Sequence, residues 1–172
     1  MIQIRSETPQ DIAAIHAVNA ASFPQEDEAN LVDELRKQGA LTVSLVAERE
    51  GQIVGHIAFS PMTIEGADSH LKAVGLAPVA VLPEYQRQGI GIKLVTAGID
   101  ACRDLGFDLM FLLGHTEYYP RFGFVPAVPL GYQSIYTPGE GDHPYFMVLP
   151  LQQEIKTQGG SVYYHPAFDS LG

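Results

Sequence analysis

Cysteine is almost absent from this sequence, which has one, Cys102, among its 172 residues. A single cysteine excludes an internal disulfide and any zinc site that needs several cysteines. Cys102 lies in a stretch of helical periodicity, where an unreactive cysteine serves as a small core residue. A chain of this length buries about two-thirds of its unfolded surface, so it can fold without a disulfide or a metal.

Long apolar segments are also missing from the sequence. No run reaches the roughly 18 apolar residues that a helix needs to cross a bilayer. The start of the chain, residues 1–5, does not follow the basic and then apolar pattern of a signal peptide. We therefore expect a cytoplasmic protein that does not interact with membranes.

Basic side chains are scarce, with 10 Lys and Arg against 20 Asp and Glu, and the net charge is −10 with histidine neutral. A surface this acidic repels nucleic acid and anionic lipid, and it favours a cationic or neutral partner. The same charge would also serve solubility alone. His16, His70, His143 and His165 lack the spacing of metal ligands, so we predict no metal site.

Apolar periodicity predicts alternating strands and helices. Strands are predicted at residues 2–5, 43–50, 53–60, 72–82, 109–113, 124–125 and 145–149, and helices at residues 9–23, 28–38, 88–105 and 118–122. The first helix would place Ile12, Ile15 and Phe23 on one face, and the apolar stripe of the third would end at Leu105. This order predicts an α/β (α+β) fold, a mixed sheet with helices on both faces.

Neither a repeat nor a linker divides the sequence. We therefore predict one domain over residues 1–172, with residues 151–172 as a C-terminal extension packed on it.

The most informative stretch runs from a predicted strand through a glycine turn into the third helix. Here Val79-Ala80-Val81-Leu82-Pro83 is followed closely by Gln86-Arg87-Gln88-Gly89-Ile90-Gly91. The first N–H groups of a helix have no acceptor within it, and together with the helix dipole they favour an anion. Glycines let phosphate oxygens approach the main chain, and Arg87 adds a cation. An ordinary helix start with a glycine turn is the alternative interpretation.

Two other phosphate-binding motifs do not fit this stretch. A P-loop ends in Gly-Lys-Ser/Thr, whereas the sequence reads Ile90-Gly91-Ile92. A dinucleotide-binding fingerprint has a third glycine three positions after the second, where this sequence has Leu94.

The string Gln86-x-x-Gly89-x-Gly91, after the strand ending Val79-Ala80-Val81-x-Pro83, resembles the acyl-CoA signature of the GNAT superfamily of N-acetyltransferases. A second string, Tyr119-Pro120-Arg121-Phe122-Gly123-Phe124, is similar to the Tyr-x-x-x-Gly-Phe pattern of that superfamily. The predicted element order also matches, from Ile2 to about Leu149. The doubled Tyr118-Tyr119 and the tail Gly160-x-Val162-x-Tyr164-x-x-Ala167-Phe168 resemble a bacterial subgroup of predicted N-acetyltransferases.

The resemblance implies a GNAT-like fold, with a mixed, mostly antiparallel sheet of about seven strands flanked by about four helices. It implies acetyl-CoA as the acetyl donor, with its pantetheine arm along the strand and its pyrophosphate at the helix start. The residues implied to bind it are Val79, Ala80, Val81, Gln86, Arg87, Gln88, Gly89, Ile90 and Gly91. Tyr119 would protonate the departing CoA thiolate, or it would only pack against cofactor and core. Tyr118 is interpreted as structural.

The general base is not evident from the sequence. Some members of the superfamily have a glutamate on the central strand, but residues 73–82 contain no ionisable side chain here. His115, Glu117, His56 and water are the candidates, and Ser60 lies on the same predicted strand as His56.

The implied activity is direct transfer of an acetyl group to a primary amine, on a small molecule or a protein, without an acyl-enzyme. A non-catalytic acyl-CoA-binding sensor and a transferase for a longer acyl group are the alternatives. Residues 126–144, rich in Gly, Pro and Tyr, are expected to shape the acceptor pocket. The tail at residues 162–164 would either add a strand to a second copy in a homodimer or cap the chain's own sheet.

Overall fold

The computed structural model describes residues 1–171, with side chains through Asp169. The chain forms two compact units. The first unit contains residues 1–60, residues 76–101 and the chain from Pro166 onward, and the second contains residues 61–75 and 102–165. The single domain over residues 1–172 stays a prediction.

Nine strands and three α-helices lie within residues 1–171. The strands are β1 (Ile2–Ser6), β2 (Val43–Arg49), β3 (Gln52–Glu65), β4 (Ala73–Val81), β5 (Leu109–Leu113), β6 (Val125–Pro126), β7 (Tyr132–Gln133), β8 (Phe146–Pro150) and β9 (Gly160–Tyr163). The α-helices are α1 (Ile12–Ser22), α2 (Asp27–Lys37) and α3 (Ile90–Asp104). Short 3₁₀ helices cover Pro9–Asp11, Pro83–Tyr85, Tyr119–Phe122, Val128–Leu130 and Pro166–Leu171. None of the helices in this part of the chain is long and apolar enough to span a membrane.

The hydrogen-bonded order of the strands is β1-β2-β3-β4-β5-β8-β6, and β9 pairs with both β3 and β7. The β4–β5 and β7–β9 pairs are parallel, whereas β1–β2, β2–β3, β5–β8, β6–β8 and β3–β9 are antiparallel. The predicted mixed, mostly antiparallel sheet is therefore confirmed. The described residues contain more than the predicted seven or so strands, because the short β7 and the tail strand β9 are additional. Strand β9 pairs with Thr63–Glu65 and so caps the chain's own sheet.

The core of the first unit forms where α1 and α2 cover one face of the sheet. Ile15 and Val18 of α1 and Val32 of α2 are buried against Val46 of β2 and Ala80 of β4. Asp27 and Glu28 lie in the first turn of α2 and Arg36 and Lys37 in its last turn, which suits the helix dipole at both ends.

Several predicted helix boundaries were wrong. Ile12 is 37% exposed and does not share the buried face of Ile15. Phe23 lies beyond the end of α1, although it packs against the same core cluster as Ile15. Leu105 is 53% exposed and lies outside α3, because Gly106 adopts a left-handed φ of 88° and its N–H bonds to the Arg103 carbonyl.

Two predicted helices start differently from the prediction. The first turn of the first predicted helix is 3₁₀, and there the Thr8 N–H donates to the Asp11 carboxylate at 2.7 Å. The fourth predicted helix is instead a 3₁₀ turn, Tyr119–Phe122, and its second residue is a proline. Strand β3 continues to Glu65, past the predicted end at Ser60.

Aromatic rings fill the core of the second unit. Phe111 of β5 stacks on Phe146 of β8 at 5.5 Å between ring centroids, and Tyr132 of β7 meets the Phe111 ring edge-on at 5.1 Å. Val148 and Val162 are buried in the same cluster. Residues 109–112 of the apolar run at β5 are thus buried, as such runs predict, whereas Leu113 is 38% exposed.

Candidate active site

The connection between β4 and α3 is a strained turn, and a side chain of the turn is hydrogen-bonded to the end of β4. Arg87 and Gly89 have left-handed φ values of 63° and 83°, which are rare for a residue other than glycine. The Gln86 side-chain amide donates to the Val81 carbonyl at 3.0 Å. The predicted helix start at Gln88 is therefore two residues too early, since the left-handed turn excludes helix before Ile90.

This turn presents a row of main-chain donors. Within residues 1–171, no acceptor engages the N–H groups from Arg87 to Ile92, and the first bond of α3 joins the Lys93 N–H to the Gly89 carbonyl at 3.1 Å. A Cβ built on Gly89 would meet no atom of the described residues within 4 Å, so they leave the space over the turn open. Exposed donors at the positive end of a helix suit a diphosphate. The amide of Ile92 belongs to this set and was missed from the sequence, because glycine spacing does not show where helix bonding begins.

Strand β4 carries the residues predicted to face the pantetheine arm. Its parallel pairing with β5 covers Ala73 to Gly75, and the strand continues to Val81. Ala80 is buried in the first unit's core, whereas Val79 and Val81 are half-buried. Because the Val81 carbonyl already accepts from the Gln86 side chain, the groups of β4 that are suited to a ligand are those nearer Val79.

Tyr119 begins the 3₁₀ turn of the second unit, and its ring is buried. The ring packs edge-on against Tyr118 at 4.9 Å and against Phe124 at 5.9 Å between centroids. Burial, with a smaller contribution from Tyr118, raises the pKa of Tyr119 to about 12. The phenol therefore keeps its proton at neutral pH, as a general acid must.

A pocket of about 450 Å³ lies beside this turn, and its walls are His115, Thr116, Glu117, Tyr118 and Arg121. Two candidates for the general base, His115 and Glu117, are thus brought together there. The Tyr118 and Tyr119 N–H groups both point to the His115 carbonyl, at 3.2 and 3.4 Å, which ties the pocket wall to the 3₁₀ turn. Arg121 also lines the pocket, and although it stands inside the Tyr119–Phe124 string, no sequence pattern marked it as a site residue.

His56, another candidate base, lies in a buried network of the first unit. Asn19 Nδ2 contacts His56 Nδ1 at 3.1 Å and the Ile15 carbonyl at 3.0 Å. A carbonyl can only accept, so the Asn19 amide nitrogen is the donor, and His56 Nδ1 must accept. His56 Nε2 then carries the proton and donates to the Ser44 hydroxyl at 2.8 Å.

The network continues outward from the imidazole. Ser44 donates to the Glu7 carboxylate, which forms an ion pair with Arg36 at 2.9 Å. Burial lowers the pKa of His56 to about 4, so the ring is neutral at pH 7. Both nitrogens of His56 are engaged and the side chain is fully buried, an arrangement that stabilises structure and leaves no lone pair for a substrate. Ser60 is also fully buried, and its hydroxyl has no hydrogen-bond partner among the residues that the structure describes.

Comparison with known proteins gives a family and several relatives. Residues 3–127 match the family model described as an acetyltransferase (GNAT) domain. The chain is 38% identical over 168 residues to the uncharacterized N-acetyltransferase YhbS of Escherichia coli (strain K12). These residues cover 96% of this chain and 98% of YhbS.

Two solved structures are similar over nearly the whole chain. Escherichia coli YhbS in complex with CoA has a TM-score of 0.87 and 36% identity, over 99% of this chain and 93% of that one. A GNAT family acetyltransferase from Brucella melitensis in complex with acetyl-CoA has a TM-score of 0.79 and 40% identity, over 98% and 99% of the two chains. The chain belongs to the GNAT family of acetyltransferases.

Proposed function

We propose that this protein transfers an acetyl group from acetyl-CoA directly to a primary amine, without an acyl-enzyme. The observation that carries the proposal is the row of unengaged N–H groups from Arg87 to Ile92 at the start of α3. Diphosphate is the anion that suits such a row. The CoA and acetyl-CoA complexes of similar proteins support the choice of ligand.

Each part of the proposed site has its own task. The main-chain N–H groups of the turn hold the pyrophosphate, and Arg87 adds a cation at its rim. The exposed side of β4 near Val79 pairs with the pantetheine arm. Acetyl-CoA supplies an activated thioester, and holding it beside the amine accounts for much of the rate gain.

Proton transfer falls to residues of the second unit. Tyr119 donates its phenolic proton to the CoA sulfur as the C–S bond breaks, since its raised pKa keeps it protonated. The amine loses a proton as the new C–N bond forms. His56 is unsuited to take it, because it is buried with both nitrogens engaged, so His115, Glu117 or water remains for that step.

The phosphate contact is tested by a matched pair of variants, Gly89→Glu and Gly89→Gln. Both place a side chain of the same size on a left-handed residue, so they share the backbone strain and differ in charge. Calorimetric titration with acetyl-CoA should show binding that is about 100-fold weaker in the Glu variant than in the Gln variant. Equal affinities in two folded variants would mean that the phosphates lie elsewhere.

Transfer itself is tested by release of free thiol from acetyl-CoA in the presence of a panel of amines. Consumption that depends on an added amine supports the transferase. Tight cofactor binding with no consumption by any amine would instead identify a sensor. Replacing acetyl-CoA by longer acyl-CoA thioesters in the same assay measures acyl preference.

A further inference from the structure

The pocket beside the Tyr119 turn contains two charges of opposite sign that no other described residue pairs with. Glu117 and Arg121 both line it, and both are exposed. Among the described residues, neither the Glu117 carboxylate nor the terminal nitrogens of Arg121 have an ion-pair or hydrogen-bond partner. They do not pair with each other although they share a pocket.

The Arg121 guanidinium is held in a fixed orientation. Its Nε donates to the Tyr118 carbonyl at 2.8 Å, and its Cζ lies 4.4 Å from the centroid of the Tyr118 ring. These contacts occupy one edge and one face of the guanidinium and leave both terminal nitrogens for a ligand. A planar fork held this way suits a carboxylate, which can accept two parallel hydrogen bonds.

Glu117 gives the pocket its second point of recognition. A carboxylate attracts an ammonium group, and a cavity of about 450 Å³ is in the range that small-molecule sites occupy. A ligand with charge of one sign would be repelled by one of the two side chains. A ligand that carries both an amine and a carboxylate would complement both.

We propose that this pocket holds the acceptor, and that the acceptor is a small amine bearing a carboxylate, of the amino-acid type. The carboxylate binds Arg121 and the amine faces Glu117. The inference rests on the proposed acetyl transfer and names the class of its acceptor. It also excludes a peptide lysine as the preferred acceptor, because such a lysine has no free carboxylate beside its amine.

The test compares amino acids with their decarboxylated amines, such as L-phenylalanine with phenethylamine and L-histidine with histamine. Steady-state rates are measured for the wild type, Arg121→Gln, Arg121→Lys and Glu117→Gln. Lys156→Gln is the matched control, since it removes an exposed positive charge from the same unit outside the pocket.

The wild type should use the carboxylate-bearing acceptors with kcat/KM at least about tenfold higher. Arg121→Gln should remove that preference by raising their KM about tenfold or more while leaving the amines within about twofold. Arg121→Lys should restore it in part, because it keeps the charge but not the fork. A preference for the decarboxylated amines or for a lysine peptide, or an equal loss for both members of each pair, would overturn the proposal.

The alternative role for Arg121 is to bind a phosphate group of the cofactor. The affinity of the Arg121→Gln variant for the cofactor distinguishes the two roles. Calorimetry of acetyl-CoA and 3′-dephospho-acetyl-CoA with Arg121→Gln should give dissociation constants equal to those of the wild type. A selective loss for the phosphorylated form would assign Arg121 to the cofactor and overturn the proposal.

Binding without turnover separates this inference from the proposed function. Ligand-detected NMR with the same amino acids and CoA-saturated protein should show binding that is lost in Arg121→Gln and kept in Lys156→Gln. If no amine consumes acetyl-CoA but this binding is present, the proposed acetyl transfer is excluded and the proposed amino-acid pocket is supported. If amines are acetylated but no amino acid binds, the proposed amino-acid pocket is excluded and the proposed acetyl transfer is supported.

Discussion

The ring of Tyr119 occupies the space that a side chain at position 114 would need. A Cβ built on Gly114 would lie 2.8 Å from Tyr119 Cδ2 and closer still to Cε2, and 3.2 Å from Leu112 Cδ1. The glycine that follows β5 therefore fixes where the Tyr119 phenol can lie. Leu112 is buried in the strand and cannot move aside at little cost.

Gly114→Ala should displace the Tyr119 ring and lower activity. Overpacking a fixed contact costs about 1–3 kcal/mol of unfolding free energy, and a shifted phenol would lower kcat about tenfold or more. Urea unfolding and steady-state rates measure the two effects.

Gly106→Ala is the control for stability alone. Gly106 is left-handed, and a Cβ there would meet none of the described part of the chain within 4 Å, so alanine should cost about 1 kcal/mol and leave kcat unchanged. An equal loss of rate in both variants would show that Gly114 acts through stability and not through Tyr119.

Tyr119→Phe should lower kcat by about 100-fold if the phenol is the general acid, because only the proton is removed. The dissociation constant of acetyl-CoA should not change. In the wild type, the pKa of about 12 predicts no loss of rate from this group between pH 8 and pH 10. Tyr118→Phe is the comparison, and a rate for Tyr119→Phe within twofold of the wild type would exclude the acid role.

The buried His56 should make the protein less stable in acid. Burial lowers its pKa from 6.5 to about 4 in the folded state, so between these values the unfolded chain binds more protons than the folded one. The free energy of unfolding therefore falls as pH drops through this window, by on the order of 3 kcal/mol from this group.

Urea unfolding from pH 7.5 to pH 4.5 measures this dependence. His56→Gln should be less stable at pH 7.5 and show a flatter profile, because the titrating group is gone. His115→Gln, which removes an exposed histidine, should keep the slope of the wild type. A wild-type slope in His56→Gln would mean that other groups cause the acid loss.

Asp68 stabilises the second unit through one carboxylate oxygen. Its Oδ2 accepts from the Tyr132 hydroxyl at 2.5 Å and from the N–H groups of Gln158 and Gly159 at 2.9 and 3.0 Å. Burial alone would raise the pKa of this carboxyl, but the three donors outweigh it and the pKa is lowered. Its stabilisation is therefore present at neutral pH and is lost as pH falls through the lowered pKa.

Asp68→Asn should reduce the unfolding free energy by about 2–4 kcal/mol, because buried donors lose a charged acceptor. Tyr132→Phe should cost about 1–2 kcal/mol for the lost hydroxyl. The double variant should lose less than the sum, since both changes break the same bond. Strictly additive losses in urea unfolding would show that the two groups act independently.

By itself, the sequence determined the features that depend on near neighbours in the chain. The β4 strand, the glycine turn at Gly89 and the long helix after it follow from periodicity and glycine placement, and they carry the family resemblance. The continuous apolar run at Leu109–Leu113 likewise indicated a buried strand without any distant contact. Local preference is strong in such segments because each residue's conformation limits that of the next.

Tertiary structure alone decided which side chains are available for chemistry. Nothing in the sequence around His56 shows that Asn19 and Ser44, far away along the chain, occupy both of its nitrogens. Such features arise because burial and hydrogen bonding depend on segments distant in sequence, which only folding brings together.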